Sequence, residues 1–112
     1  MDLISWDQFQ KVDLRVGKVV SAKKFEEARK PAYILEIDFG TALGIKKSSA
    51  QITDHYSCQE LLGRLVIGVV NFPPKQIGPI MSECLVTGFE DEEGKVILAS
   101  PAGEVPLGAK LA

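Results

Sequence analysis

Two segments of the chain alternate between apolar and polar residues, the pattern of a β-strand with one buried face. In the segment VDLRVGKVVSA, the face expected to be buried carries Val12, Leu14, Val16 and Val20. In YILEIDFG, apolar side chains recur at every second position from Tyr33 to Phe39. Because a helix repeats every 3.6 residues and not every two, both segments are predicted to be strands.

Further strand-like segments follow at short intervals along the chain. The predicted strands are IKKSSAQI, RLVIGVV, ECLVTGF and KVILAS, the last two joined by the charged turn EDEEG. RLVIGVV is almost continuously apolar and β-branched, which is typical of a strand buried on both sides. Gly17, inside the first strand, is expected to mark a bend or bulge of the kind that a small barrel needs.

Two short segments carry the signature of a helix start. Ser5 is followed three residues later by Gln8, and Ser57 by Glu60, which is the spacing of a capping box. Five principal strands, with one short helix at the N-terminus and another between strands 3 and 4, predict an all-β fold. The expected architecture is a five-stranded Greek-key barrel of the OB type. The length of 112 residues predicts a single domain over 1–112.

The charge balance argues against a protein that relies on the nucleic-acid backbone alone for its affinity. The net charge is −2. Its distribution is uneven: nine basic and seven acidic residues precede position 48, and four basic and eight acidic residues follow. The basic residues form short clusters at Lys23–Lys24, Arg29–Lys30 and Lys46–Lys47. Such clusters are typical of a solvated surface, and they also suit a phosphate-binding track.

The sequence carries none of the patterns expected of an enzyme or a metal site. Cys58 and Cys84 are too far apart to form a local metal knuckle, and we expect both to be reduced and partly buried. His55 lies three positions from Cys58, which leaves a dyad as an alternative to an incidental spacing. No paired carboxylates, nucleophile elbow or phosphate-binding glycine loop is present. We therefore expect no catalysis, no cofactor and no metal.

The longest apolar run, 65–70, is much shorter than the roughly 20 residues that span a membrane. The first residues also lack the basic and then apolar order of a signal peptide. A cytoplasmic location without membrane insertion is the expectation.

Several segments together resemble the tRNA-binding domain superfamily. They are VDLRVGKVVSA, ARKPAYILEIDFG, SSAQITDHY, ELLGRLVIGVVNFPP and MSECLVTG, and the resemblance extends from Phe9 to Lys110. This module is appended to some methionyl- and phenylalanyl-tRNA synthetases and also occurs as free-standing dimers. Within the superfamily, the chain resembles a bacterial branch of chaperone-like proteins of protein export. The resemblance implies an OB-type barrel, a homodimer and a binding role without catalysis.

Some positions depart from the pattern of the tRNA-binding members. Those members carry Ser-Gly where this chain has Ala50 and Gln51, and a lysine where it has Pro73. The Gly-Met pair of the family is replaced by Cys84 and Leu85, whereas Asn71, Pro74 and Ser82 are kept. A phosphate-facing cation and a glycine that permits close approach are thereby lost. The departures favour the chaperone branch over tRNA binding.

The sequence therefore predicts a non-catalytic, chaperone-like protein that binds unfolded or export-destined polypeptides. Rigid prolines beside an aromatic ring suit an apolar wall, and hydroxyl and amide groups pair with an extended main chain. The predicted peptide-binding residues are Lys46, Ser48, Ser49, Gln51, Asn71, Phe72, Pro73, Pro74, Lys75 and Ser82.

Two alternatives stay open for these residues. In the first, the protein binds tRNA, with a phosphate track formed by Lys23, Lys24, Arg29, Lys30, Lys46 and Lys47. In the second, the features are structural only: the prolines end a buried strand, and the serines decorate a solvated one.

Overall fold

The computed structural model describes the whole chain, residues 1–112. The two helices are α1 (Trp6–Gln10) and α2 (Cys58–Leu61). The strands are β1 (Leu14–Lys24), β2 (Tyr33–Asp38), β3 (Ile45–Ala50), β4 (Leu65–Val69), β5 (Lys75–Ile77), β6 (Ile80–Ser82), β7 (Leu85–Val86), β8 (Gly88–Glu90) and β9 (Val96–Leu98).

Five of the strands form one antiparallel sheet in the order β3-β2-β1-β4-β7. The sheet curls until the segment before β7 reaches β3, where the Glu83 N–H donates to the Lys47 carbonyl at 2.8 Å. The result is a nearly closed barrel, and α2 lies between the third and fourth of its strands in chain order. The predicted all-β OB-type fold with two short helices is confirmed.

The barrel interior is filled by the alternating side chains of β2 together with residues of α2 and β4. Leu35, Ile37, Leu61 and Val66 are fully buried, and Phe39 is 1% exposed. The predicted inward face of β2 is therefore correct. These residues come from elements far apart in sequence. Their packing holds the sheet in its curved shape and so fixes where the end of β3 lies.

The predicted buried face of β1 is correct only in part. The strand begins at Leu14, so Val12 lies before it and is 43% exposed. A register shift between Val19 and Ser21 marks a β-bulge. Val19 points into the core at 1% exposure, on the same face as Gly17, and Val20 is 43% exposed; the alternation reverses only beyond the bulge, where Ala22 packs on the core.

Gly17 has a different role from the bend or bulge that the sequence predicts. A Cβ at Gly17 would lie 2.5 Å from the Ile37 side chain and 2.8 Å from the Phe39 ring. A Cβ at Gly68, on the neighbouring β4, would lie 2.9 Å from the same ring. Both glycines are thus required by close packing against Phe39, and the bulge lies two residues further along β1.

Both predicted capping boxes are confirmed. In α1, the Gln8 N–H donates to Ser5 Oγ at 3.1 Å, and the Ser5 N–H donates to Gln8 Oε1 at 2.8 Å. In α2, Ser57 and Glu60 exchange the same pair of bonds at 3.0 and 3.1 Å. The reciprocal bonds satisfy N–H groups that a helix start leaves free, which explains how helices this short persist.

The hairpin of β5 and β6 is absent from the sequence prediction. Its strands are joined by Gly78 and Pro79, with Gly78 at φ +55°. Ile77 and Ile80 pack on a second, small cluster formed by Phe25, Ala32 and Ile34. The hairpin is thereby fixed against the outer side of the sheet, next to the end of β3.

Candidate functional site

The structure brings six of the ten predicted peptide-binding residues to one groove of about 670 Å³ between β3 and the β5–β6 hairpin. They are Ser49, Phe72, Pro73, Pro74, Lys75 and Ser82. The groove is also lined by Gln76, Ile77, Glu83, Cys84 and Leu85, which the sequence reasoning missed. We call this depression the Phe72 groove.

One wall of the Phe72 groove is apolar and exposed to solvent. Phe72 is 54% exposed and Leu85, at the start of β7, is 50% exposed. Pro73 and Pro74 follow Phe72 directly and lack N–H groups, so they restrict the backbone that carries the ring. Burying the exposed half of either apolar side chain under a ligand is worth about 1 kcal/mol. The wall therefore offers rigid apolar contact.

Ser48 and Ser49 lie on opposite sides of β3. Ser48 is 1% exposed and donates from Oγ to the Cys84 carbonyl at 3.0 Å inside the barrel. Ser49 is half-buried and lines the Phe72 groove. Successive side chains of a strand point to opposite faces, so the two serines cannot both reach a ligand. The structure places Ser48 inside the barrel and outside the Phe72 groove, contrary to the expected placement of that side chain.

Lys46 shares the inward parity of Ser48 and does not line the Phe72 groove. It lies close enough to Cys84 for its charge to act on that thiol. Burial raises the pKa of Cys84 to about 11, while the positive charge of Lys46 opposes the shift and the carboxylate of Glu83 adds to it. Lys46 therefore lies near Cys84, where the barrel closes, and not in the Phe72 groove.

Asn71 also lies outside the groove, and both ends of its amide are engaged in the fold. Its Nδ2 donates to the Lys11 carbonyl at 2.6 Å, and its Oδ1 accepts from the Asp13 N–H at 3.0 Å. The residue therefore ties the end of β4 to the connection between α1 and β1. Asn71 thus has a structural role and does not line the Phe72 groove.

Gln51 lines a second groove of about 480 Å³, which also contains Arg29 and Lys30. We call it the Arg29 groove. It shares Ser49 and Ile77 with the Phe72 groove, so the two depressions adjoin at the end of β3. Gln51 is therefore next to the groove in which it was expected.

The six cations of the predicted phosphate track fall into two separate clusters. Lys24 pairs across the sheet with Tyr33, which pairs with Ala50, and Lys46 lies four residues before Ala50 on β3. This separation is about 13 Å along the strand, which exceeds the screening length of about 8 Å at physiological salt. None of the six takes part in a salt bridge, since the ion pairs involve other residues. The six cations therefore lie in two clusters, 23–30 and 46–47, and their contact with phosphates stays a prediction.

The predicted alternative of a cysteine–histidine dyad does not form. His55 Nε2 lies 2.8 Å from Asp91 Oδ2, in the turn between β8 and β9. Cys58 is half-buried and Cys84 is buried, and both are free thiols. No group of three or more His, Cys, Asp or Glu side chains is arranged to hold a metal ion. No helix has the length and apolarity needed to cross a membrane.

Comparison with known proteins supports the resemblance that the motifs indicate. Residues 14–110 match the family described as "Putative tRNA binding domain". The crystal structure of chaperone CsaA from Bacillus anthracis str. Ames is 47% identical, with a TM-score of 0.92 over 99% of this chain and 100% of that one. The chain belongs to the CsaA branch of the tRNA-binding domain family. The predicted family is confirmed.

Other relatives of this CsaA-branch protein include a second CsaA structure and several methionine–tRNA ligases. The CsaA chaperone protein from Picrophilus torridus is 48% identical, with a TM-score of 0.91 over 98% of this chain and 100% of that one. The methionine–tRNA ligase of Pyrococcus furiosus is 36% identical over 111 residues, which are 99% of this chain and 15% of the ligase. The chain thus spans about one seventh of the length of the curated ligases that it matches.

Proposed function

We propose that the protein is a non-catalytic chaperone that holds unfolded or export-destined polypeptides in the Phe72 groove. The observation that carries the proposal is a groove in which the exposed apolar side chains of Phe72 and Leu85 occur together with the hydroxyl groups of Ser49 and Ser82. Two relatives that are 47% and 48% identical are named as chaperones, which supports the same assignment.

The composition of the groove suits a ligand without a fixed sequence. Apolar contact with Phe72 is non-directional, and hydroxyl groups on Ser49 and Ser82 bond to any main chain. The two charged residues of the lining, Lys75 and Glu83, have opposite signs, so neither charge dominates. An unfolded polypeptide offers apolar side chains and unpaired main-chain groups together, which is the combination that the groove accepts.

The test is binding of reduced, carboxymethylated α-lactalbumin, a permanently unfolded protein, measured by fluorescence anisotropy. Phe72→Ser is expected to weaken binding about fivefold, because the apolar contact of the ring, worth about 1 kcal/mol, is lost. Phe89→Ser is the matched control, since Phe89 is 72% exposed on β8 and lies outside the groove. Equal affinity of both variants and the wild type would place the binding surface elsewhere.

A second candidate function is tRNA binding, which the family match and the related methionine–tRNA ligases favour. The six unpaired cations would then contact phosphates. Raising the salt from about 50 to about 200 mM lowers affinity more than a hundredfold if four phosphates are neutralised, and about a thousandfold if six are. Polypeptide binding that depends on the Phe72 wall is expected to change little over this range. Submicromolar tRNA binding at about 150 mM salt, without binding of α-lactalbumin, would replace the chaperone proposal.

We further propose that the protein is a homodimer in the cytoplasm. Trp6 is 62% exposed and Leu111 is 47% exposed, and both line a depression of about 200 Å³ together with Phe9 and Val12. A twofold interface at this face would remove those apolar groups from water. Sedimentation tests the assembly state, and cell fractionation tests the location.

A further inference from the structure

The barrel is closed at only one level of β3. The Lys47 N–H donates to Glu83 Oε1 at 3.0 Å, and the Lys47 carbonyl accepts the Glu83 N–H at 2.8 Å. Both main-chain groups of Lys47 therefore point away from β2. Because these groups alternate sides along an antiparallel strand, those of Ser49 point away from β2 as well, and Gln51 directly follows the last residue of β3.

Beyond Lys47, main-chain pairing along this edge of β3 stops. The Ser49 N–H reaches only Ser82 Oγ, at 3.5 Å, which is long for a hydrogen bond. The Ser49 carbonyl, which lies on the same side, accepts no hydrogen bond there. Gln51 makes no hydrogen bond through its main-chain N–H or its carbonyl. At this end of β3 the Ser49 carbonyl and both main-chain groups of Gln51 thus have no hydrogen-bond partner in the fold, and the Ser49 N–H has only the long contact with Ser82 Oγ.

This end of β3 lacks the devices with which proteins protect exposed strands. Lysines and prolines on an edge strand discourage the addition of another strand. On β3 the lysines, Lys46 and Lys47, lie at the closed level. The following residues Ser49, Ala50 and Gln51 are small or neutral. β7 diverges at the same point, which leaves a third groove of about 460 Å³ between 49–52 and 85–88. All three grooves share Ser49.

We infer that the polypeptide ligand binds as an added β-strand along Ser49–Gln51, at the C-terminal end of β3. The inference rests on the proposed function and specifies its ligand as an extended segment recognised mainly through its main chain. Addition of a strand to a sheet edge gives affinity through main-chain bonds and leaves selectivity to pockets for alternate side chains. The ligand residue opposite Ser49 shares a face with the Ser49 side chain and so lies at the Phe72 groove. Apolar residues are therefore preferred at alternate positions of the ligand.

The first test uses N-methylated peptides with the wild-type protein. The probe is a short acetylated and amidated peptide of alternating leucine and serine, in which one amide at a time is N-methylated. Methylation removes a donor, so affinity is expected to fall about three- to tenfold at every second position and to change little between them. The period of two distinguishes an added strand from side-chain recognition, which has no reason to alternate with main-chain donors.

The second test changes the edge itself. Gln51→Pro removes the Gln51 N–H, and Gln51→Ala removes the side chain but keeps the main chain. Gln51→Pro is expected to bind the peptide about three- to tenfold more weakly than Gln51→Ala, because only the proline removes the N–H. Thermal unfolding of both variants checks that they are folded. If Gln51→Pro fails to fold, the N-methyl series on the wild type still decides.

The outcomes separate this inference from the proposed function. Peptide binding that tolerates every N-methyl group equally would exclude the added strand, although polypeptide binding itself would stand. Failure of the wild type to bind both the peptide and α-lactalbumin would overturn the proposed function and this inference together. An alternating N-methyl pattern with the expected Gln51→Pro loss would support both.

Discussion

Ser48→Ala should destabilise the protein and leave the binding surface in place. The Ser48 hydroxyl is buried and is the only donor to the Cys84 carbonyl, which accepts no main-chain bond. Removing the hydroxyl leaves that carbonyl unsatisfied where the barrel closes. Alanine fills nearly the same volume, so no cavity term is added.

The magnitude follows from this hydrogen bond. Loss of a neutral bond costs about 1 kcal/mol, and an unsatisfied buried carbonyl raises the cost to about 3 kcal/mol. For a domain of this size, each kcal/mol lowers the melting temperature by about 4 °C. Ser48→Ala is therefore expected to melt roughly 4 to 12 °C below the wild type.

Ser49→Ala is the matched control, since it removes the same hydroxyl from the neighbouring, half-buried position. Its stability should stay within about 0.5 kcal/mol of the wild type. Urea and thermal unfolding followed by circular dichroism measure both variants. If Ser48→Ala is as stable as Ser49→Ala but has lost affinity for α-lactalbumin, the assignment of Ser48 to the fold is wrong.

Three further outcomes are expected. Gly17→Ala should lose about 1 to 3 kcal/mol of unfolding free energy through overpacking against Phe39, whereas Gly103→Ala, with open space around it, should not; urea unfolding compares them. Because the pKa of Cys84 is raised from 9.0 to about 11, the folded state holds the proton longer than the unfolded state, so stability should fall as pH rises from about 9 to 11. Unfolding of Cys84→Ala should lack that part of the fall, and the variant should still bind α-lactalbumin. Sedimentation at micromolar concentration should show a species heavier than the 12.2 kDa monomer, and a monomer alone would refute the dimer.

Features set by local sequence were predictable. The capping boxes at Ser5 and Ser57 and the inward face of β2 depend on neighbours within a few residues, and the structure has them as expected. The bulge at Val19 was not predictable, because an added residue changes the alternation without altering the composition. The β5–β6 hairpin was missed because its strands have three residues each and a Gly-Pro turn resembles an ordinary loop.

In the candidate site, too, the features that depend on local sequence were predictable, and those that depend on register or on long-range contacts were not. An aromatic residue followed by two prolines indicates a rigid apolar wall from sequence alone, and Phe72 does line the groove. Which serine of the pair at 48 and 49 faces outward depends on register, which the few apolar residues of β3 leave open. Glu83 and Leu85 reach the groove only because the barrel closes, and closure is a long-range property that no local pattern encodes.

The ring of Phe39 packs against two glycines, Gly17 and Gly68, and so links three residues that are distant in the chain. Its ring occupies the space that a side chain at Gly17 or Gly68 would need. A larger residue at Gly68 becomes tolerable only if the ring is replaced by something smaller, and one at Gly17 also requires the Ile37 side chain to move, so the cost of a change paired with Phe39 is less than the sum of the single costs. Substitutions at these three positions are therefore coupled, and the chain can diverge there only through compensated changes.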